Sequence, residues 1–204
     1  MIKIKICGLT SKKDIEIVNA LKPDYIGFVF AKTSKRYITP ERAKQLRGYL
    51  DAGIQVVGVF VNEPIEFVLS LCQQGIIDMI QLHGKEDDEY VKKLRFNTTR
   101  SIIQAYEIRI PEDVNKANTG SADYVLLDNG SGGTGESFDW SLLEKINRPF
   151  FLAGGLQSDN VLIAIEKAAT TNYLYGVDTS SGVETNGFKD CNKIEEFIKT
   201  VRER

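Results

Sequence analysis

The chain alternates short apolar runs with segments of helical spacing, and this alternation restricts its fold more than any other feature. Most of the runs are near-continuously apolar, which is typical of parallel strands that are buried on both faces. In order along the chain they are IKIKIC, YIGFVF, QVVGVFV, MIQLH, SIIQAY, YVLLD, FFLAG and YLYGVD. The sequence therefore predicts a parallel sheet.

Most of these runs are followed by a segment with helix-start chemistry. The stretch Thr39-Pro40-Glu41 offers an N-cap, a proline at the first helical position and an acid in the first turn. We expect Asn62-Glu63-Pro64 to begin a helix in the same way, and Ser158-Asp159-Asn160 to precede another. The weakest helix signal is the short one from 111 to 118. The remaining predicted helices are SKKDIEIVNAL, KEDDEYVKKL, WSLLEKI and NKIEEFIKTVRER.

The number of units decides between two α/β architectures. Eight strand–helix units at a repeat of about 25 residues, with no second domain, favour a closed (βα)₈ TIM barrel over an open doubly wound sheet. We therefore predict one barrel domain covering residues 1–204. That length lies at the small end of the roughly 200 to 400 residues that this fold occupies.

Composition and charge exclude several classes of partner. The net charge of −2 and the lack of a basic run argue against nucleic acid or an anionic membrane surface. The apolar runs are too short to span a bilayer, and the start MIKIKICG does not resemble a signal peptide, so we expect a cytoplasmic protein. Three scattered cysteines and one histidine match neither a disulfide framework nor a zinc site, so metal catalysis is not expected.

The barrel prediction sorts the polar residues between two faces. Active sites of such barrels lie where the strands end, and the opposite face serves stability. Cys7, Asp128 and Asp178 each end a predicted strand, so all three are expected on the catalytic rim. Three other acids precede their strands and are expected to be structural: Asp24, Asp78 and Asp123.

The first strand has a strict two-residue period. If its isoleucines pack on the helices, Lys5 and Cys7 turn toward the barrel axis. A buried lysine needs a partner, and a rim or interior aspartate is the obvious candidate. Lys5 would then also help to lower the pKa of the Cys7 thiol, which is a hypothesis. An exposed edge strand with solvated lysines is the alternative.

Three glycine-rich stretches are candidates for phosphate-binding loops. GSGGTGES has the glycine spacing of a P-loop, but Glu136 stands where the loop needs a lysine, so that interpretation fails. Two interpretations of this stretch remain: a lid over residues 129–138, or a surface loop. FLAGGL and VDTSSGVE follow the seventh and eighth strands, where barrels commonly bind phosphate, although two tight turns would also explain them.

Motifs along nearly the whole chain resemble those of the phosphoribosylanthranilate isomerase family. In order they are KICGLT, GFVF with SKRYITP, VGVFVN, QLHG, LLD with a glycine-rich loop and FDW, AGGL, and VDTSSGVE. The resemblance implies a (βα)₈ barrel that acts without a cofactor in tryptophan biosynthesis. It implies an Amadori rearrangement of N-(5'-phosphoribosyl)anthranilate to 1-(o-carboxyphenylamino)-1-deoxyribulose 5-phosphate.

The resemblance also implies roles for individual residues. Cys7 corresponds to the general base, Asp128 to the general acid, and Arg36 to the residue that holds the anthranilate carboxylate. Gln81 and His83 of QLHG are substrate-binding candidates, although a structural hydrogen bond would equally explain His83. The remaining candidates, in the AGGL and DxSSG segments, are Gly154, Gly155, Asp178, Ser180 and Ser181. No metal is implied, and the protein is expected to be a monomer or a homodimer.

The chemistry agrees with these residue types. Opening a furanosylamine ring needs a protonated acid at the ring oxygen, and the following step removes a proton from the carbon beside the iminium. A thiolate suits the second task, because an unperturbed cysteine has a pKa of about 8.5. Two alternatives are another phosphosugar barrel and a phospho-ligand-binding barrel without catalysis. A metal-dependent epimerase would need more histidines than His83, and a synthase-like enzyme would need a lysine acid at a strand end.

Overall fold

In a computed structural model, residues 1–128 and 140–204 are described, and they form a closed barrel of eight parallel strands in sequence order. The barrel closes where β8 pairs with β1, with Lys5 opposite Asp178. The prediction of a (βα)₈ barrel is confirmed. The strands are β1 Lys3–Cys7, β2 Tyr25–Val29, β3 Gln55–Phe60, β4 Met79–Leu82, β5 Ser101–Glu107, β6 Tyr124–Asp128, β7 Phe150–Leu152 and β8 Leu174–Thr179.

Helices surround the barrel. In the described part of the chain they are α1 Lys12–Leu21, α2 Pro40–Arg47, α3 Ile65–Gln73, α4 Asp88–Asn97, α5 Pro111–Thr119, α6 Val161–Ala169 and α7 Cys191–Arg202. None of the described helices is long and apolar enough to cross a bilayer. The segment WSLLEKI was predicted as a further helix and forms a 3₁₀ helix, Trp140–Lys145, instead. Pro149 disfavours helical backbone at Arg148, so the helix must end before that residue and stays short, and 3₁₀ helices occur mainly as short pieces.

Two predicted helix starts are confirmed by their hydrogen bonds. Ser11 caps α1 and forms a reciprocal capping box with Asp14. The Thr39 side chain accepts a hydrogen bond from the Arg42 N–H, with Pro40 at the first helical position. Both starts therefore depend on local chemistry that the sequence displays.

The start predicted at Asn62-Glu63-Pro64 is wrong in detail. α3 begins at Ile65, after Pro64, and no described side chain caps it. Asn62 instead has a left-handed backbone (φ 55°), and its Oδ1 accepts the Lys85 N–H at 2.7 Å. The asparagine links two loops above the barrel, a long-range contact that replaces the local cap.

The strand side chains divide into an outer and an inner layer. The isoleucines of β1 pack outward into the large core beneath the helices, as the two-residue period predicted. A separate cluster of inward residues fills the lower part of the barrel: Tyr25, Val57, Met79, Ile103, Leu126, Phe151 and Ala153. Near the rim the inward positions become smaller, with Cys7, Val29, Ala31 and Val59 in contact. The change in side-chain size leaves room at one end of the barrel.

The three acids that precede their strands are structural, as predicted. Each accepts the backbone N–H of the neighbouring strand and pairs with a basic side chain: Asp24 with Ile4 and Lys3, Asp78 with Val56 and Arg47, and Asp123 with Ile102 and Arg95. These bonds satisfy strand N–H groups that the ladder leaves without a partner at the bottom of the barrel.

Replacing Asp78 with alanine is expected to destabilise the fold without affecting the rim. The Val56 N–H and the Arg47 guanidinium would lose their acceptor, which costs about 1–3 kcal/mol of unfolding free energy. Urea unfolding measures this change. Glu195→Ala, on the exposed side of α7, is the control and should stay within about 0.5 kcal/mol of the parent. Equal stabilities of the two variants would contradict this role for Asp78.

Candidate active site

A cavity of about 380 Å³ opens at the rim of the barrel, where the strands end. The structure brings all ten residues predicted for the site to the lining of this one cavity. They are Cys7, Arg36, Gln81, His83, Asp128, Gly154, Gly155, Asp178, Ser180 and Ser181. Residues more than 170 positions apart in the sequence, such as Cys7 and Ser180, meet here because parallel strands end on the same face.

Cys7 is the last residue of β1, and its thiol is almost fully buried, with 7% of the residue exposed. The neighbouring strand leaves space for it, since a Cβ added to Gly27 would lie only 2.5 Å from the sulfur. Burial raises the pKa of the Cys7 thiol, and the nearby Lys5 ammonium acts in the opposite direction. The hypothesis that Lys5 lowers this pKa is therefore correct in direction, but burial outweighs the effect.

Lys5 is fully buried and donates to Asp178 Oδ1 at 3.0 Å. The inward orientation predicted for Lys5 is confirmed, and the exposed-strand alternative is wrong. Burial alone would lower the pKa of Lys5, but the Asp178 carboxylate and the Cys7 thiol outweigh it, so the pKa is raised. Burial raises the pKa of Asp178 in spite of Lys5. These three groups form one electrostatic unit beneath the cavity.

Asp128 ends β6 and faces His83, with 3.8 Å between its Oδ2 and the histidine Nε2. Gln81 Nε2 lies 3.0 Å from His83 Nδ1. With the amide assigned in this way, Nδ1 accepts a hydrogen bond from Gln81, and Nε2 is the ring nitrogen nearer to Asp128. The Gln81 Oε1 is buried and has no hydrogen-bond partner among the described residues. A buried acceptor at the cavity wall is available for a ligand.

The loops after β7 and β8 contact each other at the cavity. Gly154 and Gly155 both have positive φ, at 93° and 68°, which favours glycine. A Cβ added to Gly182 would lie 2.0 Å from the Leu156 carbonyl oxygen, so only glycine allows this approach. The Ser180 Oγ donates to the Cys7 carbonyl at 3.0 Å, which links the phosphate-site candidates to the proposed base.

Arg36 lies in the loop after β2 and forms an ion pair with Glu184, a residue that the sequence did not single out. Its Nε and Nη2 donate to the two oxygens of Glu184 at 2.6 and 2.7 Å. Glu184 also accepts from the Lys189 ammonium at 2.6 Å, and Lys189 donates to the Ser180 carbonyl at 2.9 Å. The Arg36 side chain passes close to Gly8, and a Cβ at this glycine would lie 2.3 Å from the Arg36 Cδ.

Glu184 and Lys189 belong to a hairpin that sequence reasoning missed. Strands β9 Glu184–Thr185 and β10 Phe188–Lys189 pair in antiparallel fashion. Asn186 and Gly187 form the turn between them with φ of 53° and 81°, the pattern of a type I′ turn. An Asn-Gly pair is the strongest short hairpin signal, so this element was visible in the sequence. The stretch GSGGTGES and the predicted lid at 129–138 lie outside the described residues.

The chain is a (βα)₈-barrel protein whose rim cavity is lined by a candidate acid, Asp128, and a candidate base, Cys7. Comparison with known proteins identifies the family. The family model of N-(5'phosphoribosyl)anthranilate (PRA) isomerase matches residues 4–200. The chain therefore belongs to the phosphoribosylanthranilate isomerase family.

Individual relatives agree along their whole length. The chain is 47% identical over 206 residues to N-(5'-phosphoribosyl)anthranilate isomerase of Endomicrobium trichonymphae, which covers 99% of both chains. Crystalline monomers of the dimeric isomerase from Thermotoga maritima superpose with a TM-score of 0.86 at 35% identity, over 100% of both chains. A second structure, of phosphoribosyl anthranilate isomerase with reduced 1-(o-carboxyphenylamino)-1-deoxyribulose 5-phosphate, matches with a TM-score of 0.85 at 34% identity, again over 100% of both chains.

Replacing Lys5 with methionine is expected to raise the pKa of Cys7 further. The ammonium lowers this pKa in the intact protein, so its removal moves thiolate formation and the acid limb of kcat/KM to higher pH. The ultraviolet absorbance of the thiolate measures the titration of Cys7. From each protein's absorbance, that of the same protein carrying Cys7→Ala is subtracted. Lys13→Met, at an exposed position of α1, is the control. An unchanged Cys7 titration would show that Lys5 does not tune the thiol.

Proposed function

We propose that the chain converts N-(5'-phosphoribosyl)anthranilate to 1-(o-carboxyphenylamino)-1-deoxyribulose 5-phosphate, with Asp128 as general acid and Cys7 as general base. The observation that carries the proposal is the convergence of an acid, a thiol, an arginine and two glycine-rich loops on one cavity. Membership of the family supports the same reaction.

Asp128 is suited to the first step. Protonation of the furanose ring oxygen breaks its bond to the anomeric carbon, and the nitrogen lone pair forms the Schiff base. Asp128 delivers this proton from the end of β6. The His83 Nε2 lies 3.8 Å from its Oδ2, on the side where negative charge develops as the proton leaves.

Cys7 is suited to the second step. A thiolate removes the proton from the sugar carbon beside the iminium, and the electron pair moves to give the enolamine. Tautomerisation to the ketone then completes an isomerisation in which every atom of the substrate is kept. Because burial raises the pKa of the thiol, only a small fraction is ionised at neutral pH, and the Lys5 ammonium increases that fraction.

We propose that the glycine-rich loops bind the phosphate through Gly154, Gly155, Ser180 and Ser181. Glycines with positive φ allow the backbone to approach an anion closely, which supports this assignment. Asp178 is placed with the sugar hydroxyls instead, because a carboxylate repels a phosphate and Lys5 already holds one of its oxygens. The Gln81 Oε1, which has no hydrogen-bond partner in the described part of the chain, is available to a hydroxyl or N–H of the substrate, and His83 completes that wall.

We place Arg36 at the anthranilate carboxylate. Its guanidinium lines the cavity, and the Glu184 carboxylate raises its already high pKa, so it stays charged. A substrate with a carboxylate at one end and a phosphate at the other would thus meet a cation and a pair of glycine-rich loops.

We further propose that residues 1–204 act as one domain in the cytoplasm, without a cofactor and without nucleic-acid or membrane partners. The near-neutral charge and three free thiols support this location. For oligomeric state we propose a monomer or a homodimer; the Thermotoga maritima relative is dimeric. Light scattering coupled to gel filtration measures the mass.

Removal of either catalytic group is expected to lower kcat far more than it raises KM. Cys7→Ala and Asp128→Asn should each reduce kcat by about 10² to 10⁴, the usual contribution of a general acid or base. Conversion of the substrate is followed by its loss of fluorescence, and circular dichroism checks the fold. Cys191→Ser, at an exposed position of α7, is the control. Failure of the intact, folded parent to turn over the substrate would refute the proposed reaction and favour a barrel that only binds phospho-ligands.

Gly182→Ala is expected to weaken substrate binding through the phosphate. The new Cβ would push the two loops apart, and loss of one charge-assisted hydrogen bond weakens binding roughly ten- to hundredfold. KM and the inhibition constant of inorganic phosphate should rise together. Gly53→Ala is the matched control, since its Cβ would meet no atom within 4 Å. If phosphate inhibited both variants equally, these loops would not be the phosphate site.

A further inference from the structure

Three charged side chains form a network at the edge of the cavity, here called the Arg36–Glu184–Lys189 network, in which Arg36 is partly exposed and the other two are largely buried. The Glu184 side chain is 9% exposed and that of Lys189 only 2%. Burial would raise the pKa of Glu184, but Arg36 and Lys189 outweigh it and lower that pKa below its ordinary value. The Glu184 carboxylate therefore lies between the Arg36 guanidinium and the amino group of Lys189, whose own pKa is lowered by burial.

The geometry of the guanidinium makes the contact with Glu184 directional. Arg36 donates through Nε and Nη2, which form one edge of the planar group. A second edge, with one N–H of Nη1 and the other N–H of Nη2, presents another pair of parallel donors. No described residue accepts a hydrogen bond from Nη1, although Arg36 lines the cavity. One carboxylate thus fixes the plane of a group that can still take a second one.

Lys189 extends the network toward the phosphate-site candidates. Its ammonium donates to the Ser180 carbonyl at 2.9 Å and lies 3.4 Å from the Ser180 Oγ. Since Ser180 in turn donates to the Cys7 carbonyl, one chain of contacts joins Arg36, the loop after β8 and the end of β1. The Asn-Gly hairpin supplies both Glu184 and Lys189, so a single small element sets these positions.

We infer that Glu184 is a positioning residue for substrate recognition: it holds one edge of the Arg36 guanidinium so that the other edge is preset for the aromatic carboxylate of the substrate. Lys189 holds Glu184 in place and fixes the distance between the carboxylate and phosphate ends of the site. This inference rests on the proposed function, in which Arg36 binds the anthranilate carboxylate.

The test compares two substrates that differ only in the recognised group. One is N-(5'-phosphoribosyl)anthranilate, and the other is the corresponding phosphoribosyl aniline, which lacks the carboxylate. With the first, Glu184→Gln should lower kcat/KM by up to roughly 10²-fold, mainly through KM, because the guanidinium is no longer fixed. With the aniline analogue the same variant should match the parent within about twofold, since the analogue makes no contact with that edge.

Three further variants complete the design. Arg36→Met should show the same substrate dependence, with a larger effect on the carboxylated substrate. Glu89→Gln serves as the matched control, because Glu89 pairs with Lys93 at 2.7 Å on the exposed surface of α4. Should Glu184→Gln fail to fold, Glu184→Asp keeps the charge but draws the guanidinium away, and it should give the same substrate-dependent loss.

The outcomes separate this inference from the proposed function. Suppose that Arg36→Met distinguishes the two substrates. If Glu184→Gln then lowers kcat/KM equally with both substrates, or with neither, the positioning role of Glu184 is overturned. If Arg36→Met itself failed to distinguish them, the carboxylate assignment of Arg36 would fall, and the role of Glu184 with it. A loss by Glu184→Gln confined to the carboxylated substrate supports the inference.

Discussion

An ammonium and a carboxylate meet inside the barrel, where Lys5 of β1 donates to Asp178 of β8 at 3.0 Å. Removing either charge from water costs several kcal/mol, and each is tolerable there only because the other is present. The pair lies at the seam where the first and last strands close the barrel. Its electrostatic effect extends to the Cys7 thiol, whose ionisation the apolar surroundings oppose. The Lys5–Asp178 pair, which is costly to bury, thus influences how readily the Cys7 thiol ionises.

The two ends of the barrel have different physical tasks. At the bottom, aspartates such as Asp78 satisfy strand N–H groups and basic side chains. At the rim, the polar groups are arranged for ligands, and the Gln81 Oε1 is left without a partner among the described residues. A buried acceptor left unsatisfied costs free energy of folding, which is common where structure gives way to function. The separation lets the rim vary without loss of the barrel.

The sequence predicted most of the fold and the candidate site because strand order and strand ends determine both. Cys7 and Asp128 could be placed on one rim without knowledge of any contact, since each ends a strand. Contacts between distant loops were not predictable in this way. The Asn62 side chain does not cap α3 as expected but accepts a hydrogen bond from the Lys85 N–H. Arg36 donates to Glu184, which lies 148 positions further along the sequence. Such pairs depend on the path that each loop takes over the rim, and the periodicity of the strands does not determine that path.

The filled lower half of the barrel has a consequence for turnover. Tyr25, Phe151 and their neighbours close the axis from below, and Phe151 packs edge-on against Tyr25 at 5.8 Å between ring centroids. Reactant and product must therefore pass through the same opening. Since both carry the same phosphate and carboxylate, a departing molecule and an arriving one compete for the same passage. Release of product must therefore precede entry of the next reactant, so exchange at this opening sets an upper limit on turnover.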